Sequence, residues 1–285
     1  MTVDETDQIA PDALKESVLI VGGDGIGRSV AARIANGDTG ATDRAAAPDA
    51  VVLAVDAARS ADADTPALPS IPETAIRLAV VTVPERPTPS ERALLERLET
   101  QVDAVVLASG EGEAALTAAV GTLVSIVQDS GMVNVDLADV ETVFRPVERA
   151  ALGAGEGSIE EPTAAVRDAF ASLPRGVETD AASGVLVDLI GPPRMSIADV
   201  DEAVSAVRGR VGPDAHVIWG GAVDSAVDEE LAVRLVFAGV ESARVAPGDD
   251  CPRCGTPLSS YTLGDRTRLS CEACGFADVS VRLRD

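Results

Sequence analysis

The chain has 285 residues, 47 acidic against 23 basic side chains and a formal net charge of −24. So negative a molecule disfavours bulk binding to nucleic acid or to an anionic membrane. Apolar residues make up 46% and aromatics 2%, so wholesale disorder is disfavoured too, and Val, Ile, Leu and Ala must fill the core.

The basic residues are almost all Arg, Lys15 being the sole lysine. An acidic, lysine-poor, Ala/Val/Asp-rich surface fits solvent adaptation to a high-salt cytoplasm, where screening removes the self-repulsion of such a charge. No apolar run approaches the roughly 18–20 residues that span a bilayer. Met1 to Lys15 is acidic rather than a basic stretch followed by an apolar one, so the expected location is cytoplasmic. The length predicts one large or two ordinary domains plus a small module.

Residues 1–16 are polar and acidic, which predicts a mobile tail. Ser17 to Val21 reads as a buried strand running into Gly22, Gly23, Gly25 and Gly27, then a helix from Arg28 to Asn36. Strand, glycine turn and helix can cradle a phosphate, because absent side chains let backbone amides and a helix N-terminus approach an anion. A tight turn without ligand explains the same residues. The spacing is no clean Gly-x-Gly-x-x-Gly, and no acidic residue ends a second strand about 20 residues on, as a dinucleotide site requires.

Gly37 to Pro48 is a loop, and Ala50 to Val55 a second buried strand leading into Asp56 to Pro69, which contains no glycine. Arg77 to Val83 is a third strand, followed by a turn from Pro84 to Pro89 and an amphipathic helix from Ser90 to Thr100 that exposes Arg92. Val102 to Ala108 is a fourth strand, and Ser109 to Gly112 a short connection into a helix from Glu111 to Gln128. Strands alternating with helices predict a parallel, doubly wound sheet.

From Gly131 an extended loop enters a helix near Asp136, with Val140, Val143 and Phe144 at helical spacing. Asp136 and Asp139 are three apart and share one side of the helix start, with Asn134 placed to cap or orient them. Two acids there are explained by the macrodipole and the orphan amides alone. Then come the small residues of Ala150 to Glu156, a helix from Pro162 to Leu173, a strand from Ser183 to Ile190 and a helix from Ser196 to Arg210. Strands from His216 to Asp224 and Leu231 to Gly239 follow. His216, the single histidine, has no Ser or Cys nucleophile constellation around it and reads as structural.

After Ala246 the composition changes. Cys251, Cys254, Cys271 and Cys274 form two Cys-x-x-Cys pairs with sixteen residues between them. Two such knuckles supply four thiolates for a tetrahedral ion, zinc first and rubredoxin-type iron second, and a site so closed is structural. Disulfides do not suit a reducing cytosol. Leu258 to Leu263 and Val279 to Leu283 read as ribbon strands, and Arg253, Arg266, Arg268, Arg282 and Arg284 leave this module near neutral.

Taken together these stretches resemble the FtsZ/tubulin superfamily. The segment Asn134, Asp136, Asp139 is similar to the Asn-x-Asp-x-x-Asp loop that reaches into the nucleotide pocket of the next subunit, where the acids help polarise the water attacking GTP. The order of elements from Ser183 to Gly239 resembles the FtsZ C-terminal domain, and Gly22 to Gly27 resembles the first glycine loop with fewer glycines. The departures lie upstream. Where the family has Gly-Gly-Gly-Thr-Gly-Thr-Gly, this chain has Asp56 to Pro69, and Asp56, Asp62 and Asp64 would repel a triphosphate. Arg92 stands where the family has an arginine, Thr88 replaces its glutamate, and the stretch that clamps the guanine base is reduced to Ser109 to Gly112.

With the acidic tail (1–16) and the zinc ribbon (247–285) read from composition and cysteine spacing, the resemblance implies an α/β protein with a trimmed doubly wound parallel-sheet nucleotide-domain remnant (17–130) and an FtsZ-like α+β C-terminal domain (131–246). It implies an accessory of an FtsZ-type filament, with Asp136, Asp139 and Asn134 acting only on a neighbour's nucleotide. Gly22, Gly23, Gly25, Gly27 and Arg92 would be vestigial, with no GTP turnover by the chain alone. An active polymerising GTPase, self-association, a zinc-ribbon adaptor for protein or nucleic acid and a dinucleotide enzyme remain as alternatives.

Overall fold

The computed structural model describes residues 18–36, 48–60, 76–85, 87–128, 131–144, 147–242, 251, 254, 256–263, 266–275 and 277–281. The expected tail, most of the loop 37–48, Asp62, Asp64, Arg253, Arg282 and Arg284 lie outside them.

The N-terminal half alternates strand and helix as its apolar runs predict: β1 (Val18–Gly22), α1 (Gly25–Asn36), β2 (Ala50–Asp56), the short α2 (Ala57–Ser60), β3 (Ile76–Val83), α3 (Pro89–Glu99), β4 (Ala104–Ser109) and α4 (Gly112–Gln128). Every residue of β2 is buried, the mark of a parallel strand covered on both faces. Helix α3 starts sharply because Thr88 and Glu91 form a reciprocal capping box ahead of Pro89. Helix α1 begins at Gly25 rather than at the expected Arg28. Its glycines read as breakers in sequence, but Asp24 caps the helix by accepting from the Gly27 amide.

The C-terminal half contains α5 (Leu137–Phe144), β5 (Arg149–Ser158), α6 (Pro162–Ala171), β6 (Val177–Glu178), β7 (Gly184–Gly191), α7 (Ile197–Arg208), β8 (His216–Val223), β9 (Glu230–Ala238) and β10 (Glu241–Ser242). A three-stranded antiparallel ribbon follows, β11 (Ser259–Leu263), β12 (Arg266–Ser270) and β13 (Ala277–Val281). Strand β12 went unread in sequence because Leu269 is the sole apolar residue of Arg-Thr-Arg-Leu-Ser.

The two halves share one sheet. Its order is β1-β2-β3-β4-β5-β9-β7-β8, parallel from β1 to β5, with β9 antiparallel to both β5 and β7 and β8 parallel to β7. The boundary expected near Gly131 is therefore crossed by the β4–β5 ladder, in which Val105 pairs with Arg149. Residues from α1, α4 and α5 pack on one face of this sheet, where Leu116, Leu123, Val140 and Phe144 join Leu186 and Val236 in a single cluster. On the other face α3 covers β2 to β4 through Leu94 and Leu98, while α6 and α7 cover β5, β7 and β9 around Phe237. Arg149 on β5 also pairs with Glu99 on α3, its Nε donating at 2.7 Å.

Candidate functional site

At the carboxyl ends of the parallel strands, where an open α/β sheet places its ligand, the glycine turn is set by packing. A Cβ on Gly27 would lie 2.2 Å from the Ala54 carbonyl oxygen, and one on Gly22 would lie 2.0 Å from the Arg28 nitrogen. Gly23 donates to the Ala54 carbonyl at 2.8 Å. A Cβ on Gly25 would meet nothing closer than 4.0 Å. Two of the four predicted cradle glycines are thus required by close helix–strand contact, whether or not a ligand binds.

Several of the amides around this turn already have acceptors within the protein. Asp24 Oδ1 accepts from Gly27 N at 2.5 Å, and its Oδ2 accepts from Asp56 N at 3.1 Å and from Ser60 Oγ at 2.5 Å. Asp56 is completely buried. Its Oδ1 accepts from Arg59 N at 3.2 Å and its Oδ2 from Gly112 N, the first residue of α4. Two carboxylates of the protein therefore occupy the starts of α1, α2 and α4. Sequence marked Asp56 as a charge hostile to phosphate; the structure shows it turned inward as a cap.

The crevice beside them is a cavity of about 490 Å³ lined by Asp56, Glu111, Glu113 and Arg59 among others. Glu113 is held there by Arg33 and by Ser29 Oγ, which donates at 3.1 Å. Arg92 is not brought to this cavity. It sits on α3, on the sheet face opposite α1 and α4, and Thr88 serves as that helix's cap. A larger cavity of about 850 Å³ lies between α4, the end of β4 and the end of α6, lined by small residues such as Ala115, Ala118 and Ala171 and by Glu85, Glu111 and Arg175.

The acidic loop lies near the opposite edge of the sheet. It runs along β8, with Met132 and Val133 donating to the Gly221 carbonyl at 2.8 and 3.2 Å and Gly221 donating back to Val133 at 2.9 Å. Gly220 permits this approach, since a Cβ there would meet Val135 Cγ2 at 2.9 Å. Val135, Val140, Val143 and Phe144 are buried. Asp136 is exposed and Asp139 partly so, and they cap α5 reciprocally: Asp139 N donates to Asp136 Oδ1 at 2.9 Å and Asp136 N to Asp139 Oδ2 at 3.2 Å. Asn134 accepts from Gly131 N at 2.5 Å and so closes the loop instead of contacting either acid. Each carboxylate uses one oxygen in the cap, so Asp136 Oδ2 and Asp139 Oδ1 are available for a further partner among the described residues. Met132 and Val133 beside them are also exposed. His216, at the start of β8, is exposed and belongs to neither site.

In the ribbon the four cysteine sulfurs lie within 4.8 Å of one another. Cys251 and Cys274 are 3.6 Å apart and Cys254 and Cys271 3.4 Å, too far for disulfide bonds of roughly 2.05 Å. Four thiolates around one tetrahedral ion stand about 3.8 Å apart, so the cluster fits a thiophilic metal. The Thr256 hydroxyl, then its backbone and Cys271, draw the Cys254 thiol down from 9.0 to about 6, toward the thiolate a metal requires.

Residues 148–241 match the FtsZ family, C-terminal domain. The cell division protein FtsZ 1 of Halobacterium salinarum is 29% identical over 212 residues, which are 64% of this chain and 54% of that protein. The cell division protein FtsZ 1 of Methanocaldococcus jannaschii is 31% identical over 191 residues, 59% of this chain and 52% of that one. A tryptophan-to-tyrosine mutant of M. jannaschii FtsZ superposes with a TM-score of 0.56 at 25% identity, covering 68% of this chain and 66% of that structure. The chain spans about half the length of the curated relatives it matches. No helix among the described residues is long and apolar enough to cross a membrane.

Proposed function

We propose that this chain, a member of the FtsZ/tubulin superfamily, is an accessory subunit that docks through its acidic loop on the nucleotide-bearing face of an FtsZ-type filament and caps it. The observation that carries this reading is the contrast between the two ends. The crevice that would hold the chain's own nucleotide has its helix starts filled by Asp24 and Asp56, whereas Asp136 and Asp139 stand at the surface with an oxygen each to spare.

A triphosphate entering the crevice would have to displace a fully buried carboxylate from its amides and then sit beside Glu111 and Glu113. Both steps are unfavourable, the first because the displaced charge stays desolvated and the second by like-charge repulsion. A subunit docked on the acidic loop would meet a preorganised helix start, where the two carboxylates can accept hydrogen bonds from a water attacking that subunit's nucleotide. The next subunit would find no nucleotide in the plugged crevice, and elongation would stop there. The cysteine cluster is read as a structural zinc site, and the protein as adapted to high salt in the cytoplasm.

The test is to add the chain to a polymerising FtsZ at molar KCl and follow GTP turnover and filament length. The chain alone should release no phosphate, and the mixture should show changed turnover and shorter filaments. Asn caps a helix about as well as Asp, so Asp136→Asn with Asp139→Asn should keep the fold yet abolish any stimulation of turnover. Phosphate release by the isolated chain at the rate of the FtsZ itself would favour the polymerising-GTPase reading and overturn this one.

A further inference from the structure

The eight-stranded sheet has two edges, and the chain treats them differently. Along β8 the outer side is met by the chain's own loop, through the bridge between Val133 and Gly221. At the other edge, β1 pairs with β2 alone among the described residues. Gly23 points its amide at β2, donating to Ala54. Because successive residues of a strand turn their backbone groups to opposite sides, Leu19 and Val21 also face β2. Val18, Ile20 and Gly22 then turn their backbone groups outward.

Exposed edges are normally blunted by a charge, a proline or a bulge. Strand β1 reads Val-Leu-Ile-Val-Gly and has none of these, its register to β2 being unbroken. Leu19 is 40% exposed, although Val21 two residues on packs against the cluster beneath α3.

We propose that β1 is a self-association surface: two copies pair β1 against β1, antiparallel about a two-fold axis at Ile20, joining their sheets edge to edge. A register centred on Ile20 sets the outward N–H and C=O of one Ile20 against those of the other, and Val18 against Gly22 of the second copy. Every outward group then has a partner without slippage. The same register puts Leu19 opposite Val21 of the second copy on one face, covering the exposed side chain. Charge favours this occupant too. Copies carrying −24 each repel least where neither presents a charged side chain, and a partner selected by charge finds nothing to read on β1. Because the β8 edge is met by the chain's own loop, an isologous contact at β1 closes at two copies and does not propagate.

Sedimentation velocity of the full chain from micromolar to millimolar concentration tests this, independently of any effect on filaments. The expected result is a monomer–dimer equilibrium that tightens as KCl screens the repulsion. Leu19→Lys should weaken it about tenfold or more by setting an ammonium against Val21 of the second copy, with the two like charges diagonal to each other across the dyad. Ile20→Pro should do the same, since it removes an outward N–H while the bonds to β2 come from Leu19 and Val21. Far-UV circular dichroism confirms the fold of each variant; should Ile20→Pro not fold, Leu19→Lys, altered at an exposed side chain, decides. A wild-type chain monomeric at millimolar concentration, or a dimer that both variants leave intact, overturns the proposal. So does slow amide exchange at Ile20 in the monomer, which would mean that another part of the chain covers the edge.

Discussion

Asp56 joins the starts of two helices of the N-terminal half. It is fully buried, and truncating it takes the acceptor from two helix-start amides. Asp56→Ala should destabilise the protein by about 1–3 kcal/mol, read as a lower urea midpoint with an unchanged m-value. The sequence showed an acid at the end of a buried strand, in a place hostile to phosphate. That this acid caps both α2 and α4 was only half legible: Arg59 lies three residues on, a local capping spacing, but Gly112 is brought to it by the sheet. The pair Asp136 and Asp139 lies at the other extreme. A three-residue spacing ahead of an apolar stripe is a local signal, and both the helix start and the cap follow from it.

Among the elements, α7 shows how a cap responds to pH. The Ser196 hydroxyl, then its amide, hold the Asp199 carboxyl below its ordinary 3.8, with Arg194 adding a weaker pull. A carboxyl lowered in the folded state stabilises the protein above its ordinary pKa, and that contribution is lost as the pH falls through the lower, folded value. Asp199 lies close to solvent, so screening keeps the effect small. Asp199→Asn should therefore leave stability at neutral pH little changed and flatten the acid limb of an unfolding titration below pH 3.8. The ribbon depends on chemistry of another kind. Among the described residues its apolar core is Leu258 and Leu269 with the cysteines, and a bound metal would add to so small a core. Native mass spectrometry should find one zinc per chain. A chelator or Cys271→Ser should melt the ribbon while the far-UV signal of α1 to α7 persists.

For the whole molecule the negative charge is the dominant variable. With 47 acids against 23 basic residues, self-repulsion destabilises the compact state at low ionic strength, and screening relieves it. The melting temperature should rise steadily with KCl into the molar range, and a salt-insensitive melt would contradict the high-salt reading. Composition and alternation made the parallel sheet, its helices and the ribbon legible. The joining of the two halves was hidden, because the β4–β5 ladder links segments more than forty residues apart and nothing local in Arg149 to Leu152 names Val105 to Ala108 as its neighbours.

That ladder also limits how the protein can be dissected. A gene cut near Gly131, where the chain looks divisible, would tear an eight-strand sheet down its middle and leave β4 and β5 as raw margins with apolar side chains on both faces. Such pieces would clump when expressed separately, so the N-terminal half and the acidic loop are accessible to experiment only by substitution within an uncut chain.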